Sequence, residues 1–155
     1  FQTSPATYYS LLTTHYNKMN QKEEILDRLD EAGYPENEFA LQYDEFFADI
    51  EDQEVIGVNI PYDKPSTQEF YQVLQLIAEY PEVEGIYVRV ADADYPQDWF
   101  YTDTVYIIGE MSTDLIRKLT EPLFPDEINP GWLYGFPVNL EKKLEKKRVV
   151  SLWWD

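Results

Sequence analysis

Apolar and polar positions divide the chain into a helical first third and a mixed remainder. Residues 5–16 have a weak helical pattern, and Asn20 followed by Glu23 has the spacing of a capping box, which predicts that a helix begins there. Gly33 predicts the end of that helix, because glycine readily adopts the left-handed conformation that terminates helices. A second short helix is predicted over residues 36–50.

The pattern changes at residue 54, where short apolar runs and alternating positions begin to predict strands. An S-x-x-E capping box at Ser66 predicts the start of one helix, and Thr113 followed by Asp114 predicts the start of another. Residues 125–147 are rich first in Pro and Gly and then in charged residues. We therefore expect a long connecting segment between the last helix and the last strand. The predicted strands are residues 55–60, 86–90, 104–108 and 148–154.

The order of these elements is β-α-β-β-α-β, which is the ferredoxin-like arrangement. We therefore expect a single α+β domain over residues 1–155, with a helical part in 1–53 and a four-stranded, mostly antiparallel sheet in 54–155. Both later helices should cover one face of that sheet. Trp153 and Trp154 should point to opposite faces, because side chains alternate along a strand.

Composition excludes a disordered acidic tail and favours a partner of opposite charge. Of the 155 residues, 44% are hydrophobic and 16% aromatic, enough to form a core. The formal net charge is -18, from 30 acidic and 12 basic residues. Such a charge opposes binding to nucleic acid or to an anionic membrane, so the favoured partner is a basic protein. The oligomeric state is left open.

The chain has no cysteine, which excludes disulfides and thiolate metal sites. No apolar run approaches the roughly 20 residues of a membrane span. The chain begins with Phe1, which is consistent with trimming or with removal of a signal peptide. We expect a soluble protein of either the cytoplasm or the periplasm.

Negative charge is concentrated between Arg28 and Lys64, where eleven acidic residues occur without a base. Within this interval, residues 43–54 (YDEFFADIEDQE) combine six carboxylates with apolar residues that are expected in the core. The segment should therefore be amphipathic, with a buried stripe and an anionic outer face. Segregated charge of this kind speeds the approach of a basic partner. The simpler interpretation is a surface that only maintains solubility.

Two groups of carboxylates and two tryptophans are the predicted partner-binding residues. Glu23, Asp27 and Glu31 recur every four residues and should form a row on one helix. Trp99 and Trp132 lie in predicted loops, where tryptophans often anchor interfaces, although capping of the core edge is the simpler interpretation. The main group comprises Asp44, Glu45, Asp49, Glu51 and Asp52.

The sequence has no recognisable motif for catalysis or cofactor binding. His15 is the only histidine, and there is neither a G-x-S-x-G elbow nor a phosphate-binding glycine loop. Asp92, Asp94 and Asp98 form a candidate metal group, but their stretch fits a calcium loop poorly and is typical of a polar turn. We therefore predict a protein without enzymatic activity or cofactor. The alternatives are a carboxylate- or metal-dependent hydrolase and a module that self-associates through its sheet.

Small size, absence of cysteine, strong acidity and abundant aromatic residues are combined here in one predicted α+β domain. In this overall character, the whole chain resembles the immunity proteins that neutralise bacterial polymorphic toxins, many of which are basic nucleases. The resemblance carries no diagnostic motif and transfers no functional residue. It implies a non-catalytic inhibitor that occludes a basic toxin surface, with carboxylates in the place of substrate phosphates.

Overall fold

The computed structural model describes residues 4–50, 52–95 and 98–155, and it confirms the α+β class. Single 3-10 turns follow the last helix at Glu121–Leu123 and precede the last strand at Lys142–Leu144. The helices are α1 (Pro5–Ala32), α2 (Tyr43–Phe47), α3 (Thr67–Ala78) and α4 (Thr113–Thr120). The strands are β1 (Ala40–Gln42), β2 (Val83–Arg89), β3 (Thr104–Gly109), β4 (Glu127–Pro130) and β5 (Val149–Trp153).

The five strands form one antiparallel sheet in the order β1-β2-β3-β5-β4. Ile86 of β2 lies opposite Ile107 of β3, and Val105 of β3 lies opposite Leu152 of β5. These registers place the buried side chains of neighbouring strands on the same face. The predicted strands that correspond to β2, β3 and β5 are confirmed.

The four-stranded sheet and the ferredoxin-like order are wrong. Residues 55–60 do not form a strand, although Val55 and Ile56 are buried. Gly57 has a φ of 65°, and this left-handed conformation interrupts an extended chain inside the apolar run. The run therefore fills the core as a loop, and every strand pair among the described residues is antiparallel. The unpredicted strands, β1 and β4, lie at the two edges of the sheet.

Both edges of the sheet are protected against further strand pairing. At β1, Asn139 Oδ1 accepts a hydrogen bond from Ala40 N at 3.1 Å, and Asn139 Nδ2 donates to Ala40 O at 2.7 Å. At β4, Pro130 has no N–H to donate. Capped backbone groups and proline hinder edge-to-edge association, so the sheet disfavours self-association through its strands.

The first third contains one long helix and a short strand where two separate helices are expected. Helix α1 passes through Asn20 without a break, because neither Gly nor Pro interrupts the turn that precedes it. It ends at Gly33, which has a φ of 78°, as predicted. The helix predicted over residues 36–50 is wrong in its first part, where pairing with β2 makes β1 extended. None of the helices in the described part of the chain is long and apolar enough to cross a membrane.

All four helices pack on one face of the sheet and form the main core with it. Helix α3 begins with the predicted capping box, in which Ser66 Oγ accepts from Glu69 N at 3.1 Å and Glu69 Oε2 accepts from Ser66 N at 2.7 Å. Trp154 is fully buried on this face, with its ring centroid 5.4 Å from that of Phe70 in α3. Its indole N–H donates to Leu123 O at 2.8 Å, which fixes the end of the sheet to the turn after α4.

Residues 131–147 cover the opposite face of the sheet. Tyr106 of β3 is buried there, with its ring centroid 4.9 Å from that of Trp132. Phe136 packs on the other side of Trp132 at 5.1 Å, and Leu144 completes this smaller core. Trp153 is half-buried and alternates with Trp154, so the two tryptophans point to opposite faces, as predicted.

Candidate protein-binding groove

The acidic segment is amphipathic, as the sequence predicts. Phe46, Phe47 and Ile50 are fully buried in the main core. Gln42 Oε1 caps α2 by accepting hydrogen bonds from the backbone N–H groups of Asp44 at 2.8 Å and its neighbour at 3.3 Å. The core contacts and the cap hold the backbone that carries the carboxylates.

The carboxylates of Asp44 and Glu45 have partners within the protein. Arg28 Nη1 in α1 donates to Glu45 Oε2 at 2.6 Å, and the Tyr71 hydroxyl in α3 donates to Asp44 Oδ1 at 2.8 Å. Burial and this hydrogen bond raise the pKa of Tyr71 to about 12. The two carboxylates therefore join α2 to its neighbouring helices, and less of their charge is available to a partner.

Asp49 and Asp52 line a groove between α1 and the loop that follows α2. The groove has a volume of about 640 Å³, and Asp98 brings a third carboxylate to it from a distant part of the sequence. Asp49 has a φ of 62°, a left-handed conformation that aspartate tolerates better than most residues. Glu51, which was predicted for the same surface, lies outside the described residues. The other lining residues are Leu11, Thr14, His15, Lys18, Met19 and Gln53.

Lys18 lies in the wall of this groove and is only 8% exposed. Its ammonium lies 4.2 Å from the ring centroid of Trp99 and donates to Glu45 O at 3.3 Å, so contacts on two sides hold it. Three aspartates and one lysine give the groove lining a formal charge of -2 with His15 neutral. The groove is thus anionic, and apolar side chains from α1 lie at its edge.

The second predicted group lies on the outer side of α1. Glu23, Asp27 and Glu31 are all exposed, and Glu24 and Asp30 are exposed near them. No base lies among these five positions. The structure therefore places the predicted row of carboxylates on the surface, on the half of α1 that packs against the core.

An ion-pair cluster that the sequence did not reveal removes two further acids from the free surface. Arg89 donates to Glu38 at 2.6 and 3.2 Å and to Asp103 at 3.1 Å, and its guanidinium carbon lies 3.7 Å from the ring centroid of Tyr134. Burial lowers the pKa of Arg89, but Glu38 and Asp103 outweigh this effect and raise it. The cluster joins the loop over residues 131–136 to the sheet and serves the fold.

The two predicted tryptophan anchors have structural roles. Trp99 is fully buried against Phe100, at 5.0 Å between ring centroids, so its prediction as a surface contact is wrong. A loop position did not imply exposure here, because the loop after β2 folds back into the core. Trp132 is half-buried, and its indole N–H points to Glu145 O at 3.4 Å. It covers the smaller core and exposes only part of its ring.

The aspartates proposed for a metal site do not converge. Asp92 Oδ1 accepts a hydrogen bond from Asp94 N at 2.8 Å, which is the local turn that aspartate favours. Asp98 lies instead in the wall of the groove. Over the described ranges, no three His, Asp or Glu side chains are placed to hold one ion together. The metal-dependent alternative therefore gains no support from the geometry.

A second surface groove, of about 590 Å³, lies between α4 and β4. It is lined by both signs of charge, and Arg117 already pairs with Asp114 at 3.0 Å. Mixed and paired charges select weakly for the sign of a partner. The four carboxylates and two bases of this second groove give a formal charge of -2, which equals that of the groove beside α1. The groove beside α1 differs in that the one lysine of its lining, Lys18, is buried.

Sequence reasoning missed the helical wall of the groove. Leu11, His15 and Met19 are not among the predicted site residues, because the sequence predicts residues 5–16 and the helix that begins at Asn20 as separate elements. One signal was available: no Asp, Glu, Lys or Arg occurs in residues 1–17 of a chain with a net charge of -18. An uncharged segment in such an acidic chain is an unusual surface and marks α1 for attention.

Fold and groove together define a small α+β protein with an anionic surface groove. The chain belongs to the family described as Uncharacterized protein YfbO family, whose match covers residues 20–152. No curated protein and no solved structure is detectably similar to the chain. The matched region contains the sheet, α2 to α4 and the acidic half of α1, whereas residues 5–19 precede it.

Proposed function

We propose that this chain is a non-catalytic, acidic inhibitor that binds a basic protein surface, as immunity proteins bind the toxins they neutralise. The observation that carries the proposal is the groove beside α1, which Asp49, Asp52 and Asp98 all line. The exposed acids on the outer side of α1, Glu23, Asp27 and Glu31, add further negative charge to the same helix. A solubilising surface does not require carboxylates from distant segments to meet in one groove.

The groove suits the basic side chains that a nuclease uses to hold phosphates. Arginine forms two parallel hydrogen bonds with a carboxylate as readily as with a phosphate, so each aspartate is a suitable acceptor. Leu11 and Met19 at the edge would contact the aliphatic parts of such side chains. Inhibition then follows from occlusion, because a bound inhibitor and a nucleic acid cannot occupy the same basic cleft.

The row of carboxylates formed by Glu23, Asp27 and Glu31 would act at longer range than the groove. Exposed charges raise the rate of approach to a basic partner more than they strengthen the final complex. Their effect should therefore decrease with added salt, since the Debye length is only about 8 Å at 0.15 M. The groove would supply the close contacts and the helix the attraction at a distance.

Inhibition of a toxin encoded beside this chain's gene tests the proposal. Cleavage of nucleic acid by the purified toxin is measured with the parent chain and with the triple variant Asp49→Asn, Asp52→Asn, Asp98→Asn. Asparagine removes charge and tolerates the left-handed backbone at position 49. We expect inhibition by the parent chain and association about tenfold slower for the variant at low salt.

A matched control removes the same number of charges elsewhere. The variant Glu82→Gln, Glu110→Gln, Glu121→Gln changes three exposed acids outside the groove. If both variants associated with the toxin equally slowly, the aspartates of the groove would act only through the net charge of the chain. Absence of a neighbouring toxin gene, or a toxin that stays fully active with the chain present, would overturn the inhibitor proposal.

A further inference from the structure

The first half of α1 displays large apolar side chains on its outer side. Tyr9 is 67% exposed, Leu12 47%, Tyr16 65% and Met19 50%. Their spacings of three, four and three residues place them on one stripe of the helix. Lys18 is buried on the other side, toward the protein body. We call residues 5–19 the arm and these four residues the arm stripe.

We propose that the arm stripe is a dimerisation surface, on which the arm of a second copy packs in the antiparallel direction. This proposal does not require the inhibitor function, and the two surfaces share Met19, which also lines the groove beside α1. A contiguous exposed apolar stripe is characteristic of an interaction site, and each of these side chains is about half exposed or more.

Charge identifies a second copy as the occupant. A chain with a net charge of -18 repels its own copies at most surfaces, so self-association requires a contact that is free of charge. The arm supplies one, because no Asp, Glu, Lys or Arg occurs before Lys18. A basic partner would be drawn instead to the acidic parts of the surface, and the uncharged stripe offers it no ion pair.

Spacing and charge together select the antiparallel direction. The spacing of the arm stripe is the same in both directions, so a two-fold axis places Tyr9 against Met19 and Leu12 against Tyr16 of the second copy. In a parallel pair, Glu23 would face Glu23 of the second copy. In the antiparallel pair, Glu23 comes beside Pro5 of the second copy, where the positive end of the helix dipole favours a carboxylate.

The size of the contact predicts a weak dimer. Four side chains of this kind bury about 400 Å² per chain, or ~800 Å² in total, which is below the roughly 1,200–2,000 Å² of stable complexes. The dimer should therefore form only at high protein concentration. Tyrosine against methionine adds a favourable sulfur–aromatic contact at each end.

Sedimentation equilibrium of the full chain tests the proposal at about 0.15 M salt, which screens the net charge. Between about 1 μM and 1 mM protein, the mass should rise from 18.4 kDa toward twice that value. Leu12→Glu with Tyr16→Glu should weaken the dimer at least tenfold. Ser10→Glu with Thr13→Glu adds the same charge to exposed positions off the stripe and should preserve it. Circular dichroism verifies that both variants keep their helix.

The direction of packing is tested with the cysteine-free chain itself. Tyr9→Cys and Met19→Cys variants are mixed and oxidised, and the disulfides are identified by intact mass. Antiparallel packing gives mainly the mixed disulfide, and mainly symmetric disulfides would overturn this direction. A constant monomer mass at all concentrations would overturn the dimer. If the chain also bound zwitterionic lipid vesicles in that case, the occupant of the arm stripe would be a lipid surface instead of a second copy. Equal dimerisation of the parent and the Leu12→Glu, Tyr16→Glu variant would overturn the surface.

Discussion

Residues 20–32 of α1 bury Ile25 and Leu29 in the main core, whereas residues 5–19 of the same helix expose Tyr9 and Tyr16 by about two thirds. The two halves also differ in charge, because the second half carries five exposed acids and the arm carries none. One continuous helix thus has an acidic half that belongs to the core and a half without acidic residues, in which the one charged residue, Lys18, is buried.

This difference shows that helical structure and packing are separate properties. The second half of α1 already supplies the unfavourable step of helix nucleation. Each residue of the arm therefore extends an existing helix and gains one backbone hydrogen bond as it is added. Local opening of the arm should therefore require much less free energy than global unfolding. Its large apolar side chains are better explained by intermolecular contact than by the stability of the monomer.

The largest expected effect comes from comparing a buried apolar residue in the second half of α1 with an exposed apolar residue in the arm. Ile25→Ala should lower the free energy of unfolding by about 3 kcal/mol, because it leaves a cavity where the side chain is fully buried. Leu12→Ala should change it by no more than about 0.5 kcal/mol. Urea denaturation at low protein concentration measures both. A loss at Leu12 as large as that at Ile25 would mean that the arm is packed in the monomer.

The caps at the two ends of α1 sharpen the same comparison. Gly33→Ala should destabilise the protein by about 1–2 kcal/mol, because the backbone is left-handed and the new Cβ would lie 2.7 Å from Asn37 Nδ2. At the other end, Ser4 Oγ accepts from Thr7 N at 3.2 Å. Ser4→Ala should fray the arm, with less ellipticity at 222 nm and an unchanged urea midpoint. A shifted midpoint for Ser4→Ala would contradict a locally opening arm.

Local sequence signals predicted the parts of the fold that short segments determine. The Ser66 capping box, the Gly33 stop and the amphipathic acidic segment are all found in the structure. Their geometry depends on backbone groups within a few residues, so the sequence contains the relevant interactions. The same holds for the central strands, where β2 alternates over several residues.

Features that depend on distant contacts could not be predicted in this way. Strands β1 and β4 have three and four residues and become strands only by pairing with a longer neighbour. The apolar run over residues 55–60 resembles a strand, but Gly57 turns it and the core holds it as a loop. Asp98 meets Asp49 and Asp52 through tertiary folding alone. Of the nine residues that line the candidate groove, local patterns therefore predicted only Asp49 and Asp52 as partner-binding residues.

A smaller effect is expected from the ion pair that fastens the acidic half of α1 to α2. Glu45→Gln should cost about 0.5–1 kcal/mol, because the pair with Arg28 has good geometry but is partly exposed. Raising the salt concentration should reduce this cost. Asp52→Asn is the matched control, and it should leave stability unchanged or slightly higher, since a repelling charge is removed. Urea denaturation at two salt concentrations distinguishes these results, and equal losses would show that Asp52 is also paired.

The smallest effect concerns the other carboxylate of α2, Asp44, and the hydrogen bond that it accepts from the Tyr71 hydroxyl. Burial and the hydrogen bond raise the pKa of Tyr71 to about 12, above its ordinary value of 10.0. A raised pKa means that folding favours the protonated phenol, so this contribution to stability is complete below pH 10 and is lost as the pH rises toward 12. Tyr71→Phe should therefore flatten the decline of stability over this interval, and Asp44→Asn should do so in part.

Urea denaturation between pH 9 and pH 12 measures this decline, and ultraviolet absorbance of tyrosinate follows the ionisation itself. The parent chain is the reference for both variants. If the stability profile of Tyr71→Phe coincided with that of the parent, the Tyr71 hydroxyl would not couple α2 to α3 through its hydrogen bond to Asp44.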